Sequence, residues 1–100
     1  MDMSELHIAE FPFEAGGVQY RYARKMSADG TRWIREGLFQ VFHPNGVLAS
    51  EGSYLDGQED GAWRDYHTNG QIAAEGAYAR GIESGVWRYW NADGTPSVIG

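Results

Sequence analysis

Residues 61–81 read Gly61-Ala62-Trp63-Arg64-Asp65-Tyr66-His67-Thr68-Asn69-Gly70-Gln71-Ile72-Ala73-Ala74-Glu75-Gly76-Ala77-Tyr78-Ala79-Arg80-Gly81, and this stretch decides the fold because it recurs. At a spacing of 24, Gly37, Gly61 and Gly85 stand in one column, Gly46, Gly70 and Gly94 in a second, Gly52, Gly76 and Gly100 in a third, and Gly57 and Gly81 in a fourth. Eleven of the 14 glycines fall in these columns, so each column has a positional task. Phe39/Trp63/Trp87, Phe42/Tyr66/Trp90, Asn45/Asn69/Asp93, Leu48/Ile72, Glu51/Glu75 and Tyr54/Tyr78 keep the same period. Copies 37–60 and 61–84 share 10 of 24 residues. Residues 85–100 form a partial copy that degenerates after Asp93-Gly94, as a capping unit does. Asp29-Gly30 lies only 16 residues before Asn45-Gly46 and marks 18–36 as a divergent unit. Residues 1–17 are a non-repeat lead-in, extended at Phe11-Pro12-Phe13 and turning at Gly16-Gly17.

Asn-Gly or Asp-Gly between short apolar-polar runs signals a two-residue hairpin turn, with positive φ at both central residues. Each copy then reads as two strands about a turn (61–68 and 71–79 in copy two), with a connector near Gly81. Glycine recurs too often for a helix. A two-residue turn predicts the register. Trp63 faces Gly76, Arg64 faces Glu75 and Tyr66 faces Ala73; Phe39 faces Gly52, Phe42 faces Ala49, and Trp87 faces Gly100. A ring lies opposite a bare glycine each time and can cover its backbone. Upstream, Tyr22 falls opposite Gly37 and Arg24 opposite Arg35, the latter unfavourable. Alternation puts Trp63, Ile72, Gly76 and Tyr78 on a core face, and Arg64, Tyr66, Ala73 and Glu75 on the other. The expected fold class is all-β, a single-layer antiparallel meander of β-hairpins.

The pattern of residues 61–81 resembles the variant MORN repeat, G-x-W-x-x-Y-x-x-N-G-x-I/L-x-x-E-G-x-Y-x-x-G, the repeat of bacterial YwqK-like proteins labelled antitoxins. The resemblance covers residues 37–100 well and 18–36 weakly. It implies an elongated twisted sheet without enzymatic activity, and a role in binding or neutralising a protein partner. With only three and a half units, it also implies a partner or a homodimer.

The chain has 100 residues, no Cys and a formal net charge of -6, so disulfides and thiol chemistry are excluded. The acidic balance argues against nucleic acid and anionic lipid as main partners. No apolar run is long enough to span a membrane, and the N-terminus lacks the features of a signal peptide, so the expected location is the cytoplasm.

No phosphate loop or G-x-S-x-G motif occurs, and no cofactor is expected. His43 and His67 share one repeat position just before the turn, where a turn-flanking role competes with a metal pair. Asp56, Glu59 and Asp60 form an acidic connector: a solvated loop, a partner-facing patch or a cation site. Arg21, Arg24, Lys25, Arg32 and Arg35 interleave with Tyr20, Tyr22 and Trp33, either as a solvated strand face or as an anion surface. This end makes the chain electrically lopsided, which would allow head-to-tail pairing of copies. Phe42, Tyr66 and Trp90 form a second aromatic column on the face opposite the first. Unless covered by the N-terminal segment or turned inward by a bulge, it is a protein-binding ladder. The candidate partner-binding residues are therefore Phe42, Tyr66, Trp90, Asp56, Glu59 and Asp60. The expected partner is a protein, in particular a basic toxin.

Overall fold

The computed structural model describes residues 6–97. Their strands are β1 (His7–Pro12), β2 (Val18–Met26), β3 (Trp33–Phe42), β4 (Leu48–Leu55), β5 (Gln58–Glu59), β6 (Gly61–Tyr66), β7 (Ile72–Ala79) and β8 (Ile82–Tyr89). All pair antiparallel in one sheet, in the order β1-β2-β3-β4-β6-β7-β8, with β5 on the far end of β4. One sheet makes one layer, and its twist spreads it over 48 × 36 × 18 Å. The sequence-based fold class is therefore correct. Residues 7–12 of the lead-in add the first strand, and Phe13–Gly17 closes its hairpin.

Two turn types recur along the edges, beside a four-residue loop between Ser27 and Arg32, and their assignment differs from the expectation. At Asn69-Gly70 the His67 N–H donates to Gln71 O and the Gly70 N–H to His67 O, enclosing a three-residue loop. Gly70 has φ 88°, but Asn69 is not among the residues with positive φ. His43–Val47 and Asn91–Thr95 repeat these bonds, and so does Phe13–Gly17. The two-residue turn with both φ positive lies on the opposite edge instead, at Asp56 (50°)-Gly57 (87°) and Arg80 (52°)-Gly81 (84°).

The longer loop shifts the pairs beside it, and a bulge shifts them back. Tyr66 pairs with Ile72, not Ala73, and Phe42 with Leu48, not Ala49. Beyond the bulge the expected pairs return: Trp63 with Gly76, Arg64 with Glu75, and Phe39 with Gly52. A further shift in β3 puts Tyr22 opposite Phe39 rather than Gly37, while Arg24 does face Arg35. The Trp87–Gly100 pair lies outside the described residues.

One face carries the core. Rings run across it from Phe11 to Tyr22, Phe39, Tyr54, Trp63, Tyr78 and Trp87, each 5.1–5.8 Å from the next. Such pairs each contribute about 0.5–1.5 kcal/mol beyond area burial. Among the described residues only Ala9, Ala23, Phe39, Trp63 and Ala74 are buried apolar groups, as expected of a sheet without a second layer. The ring covering each glycine comes from the next strand, not from its own hairpin. A Cβ on Gly52 would lie 2.1 Å from Trp63, and one on Gly76 2.1 Å from Trp87. Each indole N–H reaches the carbonyl just beyond, Trp63 Nε1 to Ser53 O and Trp87 Nε1 to Ala77 O, both 3.2 Å.

Candidate protein-binding surface

Strand alternation leaves the other face to charge and to scattered apolar groups. Across it the register aligns Glu10, Arg21, Gln40, Glu51, Arg64, Glu75 and Arg88, each paired with the next. Arg21 Nε donates to Glu10 at 2.5 Å and Arg64 Nε to Glu75 at 2.9 Å. These exposed pairs contribute at most about 1 kcal/mol each to stability. They do hold the side chains flat, as an ordered row of alternating sign.

On the turn side of this row stand Phe42, Tyr66 and Trp90, paired with Leu48, Ile72 and Pro96. All three rings are half-buried. No ring contact joins them: they form a row of separate rings rather than a stack. The Arg21 guanidinium lies 5.5 Å from the centre of Phe42, and the Tyr66 hydroxyl donates to Glu51 Oε1 at 3.3 Å, so both rings join the charged row.

On the other side of the row, alternation places Leu38, Leu55, Ile82 and Val86, which are 45%, 48%, 72% and 81% exposed. Sequence reasoning missed these residues. Leu38, Ala62 and Val86 form a 24-residue column in phase with Gln40, Arg64 and Arg88, and that column was the available signal.

The acidic connector does not converge on one point. Asp56 pairs with Lys25, and its N–H donates to Glu36 Oε1 at 2.7 Å. Asp60 accepts the Arg80 N–H at 3.2 Å, a bond that repeats the Glu36–Asp56 one a copy later. Each carboxylate thus holds a left-handed residue of a two-residue turn. Glu59 pairs across to Tyr54 on the ring face. Burial first, then the Glu59 charge, pushes the Tyr54 phenol up; burial, Glu83 and Glu59 do the same to Tyr78.

His43 Nε2 lies 2.8 Å from Tyr66 O, and His67 Nε2 2.8 Å from Trp90 O. A carbonyl only accepts, so Nε2 carries the proton in both rings and is closed to a metal. Asn45 Nδ2 and Asn69 Nδ2 donate to Thr68 O and Ala92 O in parallel. Each turn is thereby fastened to the next by two bonds. Asp93 takes the place of the asparagine in the last turn and accepts from Thr95 instead. Among the described residues no group of three or more His, Asp or Glu is placed to hold a metal, and no helix is long and apolar enough to cross a membrane.

Residues 35–56 and 59–79 match the MORN repeat variant family. The two matches fall on β3–β4 and β5–β7, one hairpin unit each. No curated protein and no solved structure matches the chain.

Proposed function

We propose that the chain is a non-enzymatic, cytoplasmic protein-binding module of antitoxin or immunity type, which masks a basic toxic protein with the face opposite its ring column. The observation that carries this reading is the layout of that face. Half-buried Phe42, Tyr66 and Trp90 on one side, and exposed Leu38, Leu55, Ile82 and Val86 on the other, flank one row of paired charges. Apolar groups exposed together mark an interaction surface, and Tyr and Trp are the rings that anchor interfaces. The net charge of -6 steers the module toward a cationic partner. Similarity to the MORN repeat variant supports a binding role, since such repeats are commonly non-catalytic modules. Asp56 and Asp60 act in this reading mainly by shaping the turns, with Asp56 and Glu59 at the rim.

Affinity capture from the native host, with wild-type protein and a Tyr66→Ala/Trp90→Ala variant, tests the reading. A basic protein recovered by the wild type, lost with the variant, and toxic when expressed alone supports it. Equal recovery by both proteins, or a harmless partner, counts against it. A second reading, a homodimer through the sheet edge, draws on β8, an end strand of the described sheet that carries the exposed Ile82 and Val86. A monomeric mass by light scattering at high concentration removes it.

A further inference from the structure

The five basic residues between positions 21 and 35 are not one surface. Arg21 and Lys25 alternate onto the charged face and are paired there, Arg21 with Glu10 and Lys25 with Glu36 and Asp56. Arg24, Arg32 and Arg35 instead line a single cavity of about 330 Å³ with Tyr22, Trp33, Ile34 and Gly57. Among the described residues none of these three forms an ion pair with a carboxylate. The nearby Asp29 carboxylate is engaged by Ser27 and Thr31, and feels the Arg32 charge without a salt bridge to it.

Arg24 and Arg35 face each other directly across β2 and β3, a pairing of like charges that opposes folding. Aromatic rings hold them in place. The Arg24 guanidinium lies 4.2 Å from the Trp33 ring centre, and that of Arg35 5.0 Å from Tyr22 and 5.3 Å from Phe39. Rings orient the two forks but accept little from their N–H groups. Arg24 Nε is buried and has no hydrogen-bond partner. Such orphaned donors are rare, and each calls for an acceptor.

We propose that this cavity binds a small dianion with oxygen acceptors, a phosphate ester or a dicarboxylate, through Arg24, Arg32 and Arg35. Three guanidiniums without a salt bridge favour a dianion over a monoanion, and their planar forks match carboxylate and phosphate oxygens. The chain as a whole, with its net charge of -6, repels an extended polyanion but not a compact ligand held among three cations. This site is independent of the protein-binding face: its cavity lies among the rings, and Arg21 and Lys25 take no part.

Isothermal titration of the full chain with inorganic phosphate, succinate and acetate tests the assignment, with anionic phosphatidylserine vesicles as a further arm. Phosphate or succinate is expected to bind at one saturable site, about tenfold or more tighter than acetate. Arg24→Gln and Arg32→Gln should each weaken that binding by about tenfold. Arg32 is exposed outside the strands, so its variant tests the site without disturbing the sheet. Arg21→Gln should leave binding unchanged. Lack of saturable binding of either dianion up to about 10 mM, a concentration corresponding to negligible affinity, overturns the proposal. So does binding that survives both Arg24→Gln and Arg32→Gln, and so does binding to vesicles alone.

Discussion

The indole of Trp63 occupies the space above Gly52 where any other residue would carry its Cβ, 2.1 Å from the ring, and its N–H reaches the next carbonyl at Ser53. Trp87 and Gly76 repeat the arrangement 24 residues on. A sheet with no second layer cannot bury its rings between layers. It buries them by laying each ring flat on bare backbone, which only glycine allows.

Gly52→Ala and Gly76→Ala should therefore each destabilise the fold by about 1–3 kcal/mol, the usual cost of overpacking. The effects should be coupled: Trp63→Ala should cost less in a Gly52→Ala background than alone, because the ring has already been displaced. Urea unfolding of the two single variants and the double variant measures the coupling.

The fastening of one turn to the next can be tested while the bonds inside each turn are kept. Asn69→Asp keeps the acceptor for the Gln71 N–H but loses the donor to Ala92 O. It should cost about 0.5–1.5 kcal/mol, the net worth of one hydrogen bond. Asp93→Asn should change stability little, since no described turn follows to receive it. Thermal or urea unfolding of both variants checks the contrast.

Tyr54 and Tyr78 should titrate above an ordinary phenol, for burial first and neighbouring carboxylates second. A raised value in the fold means their contribution is complete below the ordinary phenol range near pH 10 and is lost as pH rises through the folded value. Absorbance titration near 295 nm should show two late tyrosines that revert on unfolding. Glu59→Gln should bring Tyr54 down.

Asp29 should remain ionised to about pH 2, held low by the Ser27 and Thr31 hydroxyls and then the Thr31 N–H. Its depressed value gives stability that is present above the ordinary carboxylate range and fades as pH falls toward 2. Carboxyl carbon shifts followed by NMR read it directly, and Ser27→Ala should raise the midpoint.

The period of 24 made the sheet legible, because Trp63, Asn69 and Gly76 each recur in step. The turn chemistry was misread for a physical reason. Asn-Gly fits both a two-residue turn and a three-residue loop closed by a left-handed glycine, and the spacing cannot separate them. The two-residue turn fell on Asp56-Gly57 and Arg80-Gly81, where Glu36 and Asp60 hold the first residue from 20 positions upstream. The register survived the misreading at Trp63 because the bulge at Ala73 restores what the longer loop displaces. It failed at Tyr66, which lies between loop and bulge. Sequence points to Phe39 as the ring above Gly52 because pairing within a hairpin is visible in sequence, whereas packing between hairpins is not. The division of the basic cluster was hidden as well. Alternation separates Arg21 and Lys25 from Arg24 and Arg35, but only the fold shows which face finds carboxylates.

The bonds from His43 and Asn45 to the following bend, and from His67 and Asn69 to the one after, all point the same way along the sheet. Every module thus offers the same grip forward and the same hold behind. Duplicating residues 61–84 in frame would insert a module that fits both neighbours without redesign, so the ribbon's length, and with it the area of its two faces, is free to change in whole steps.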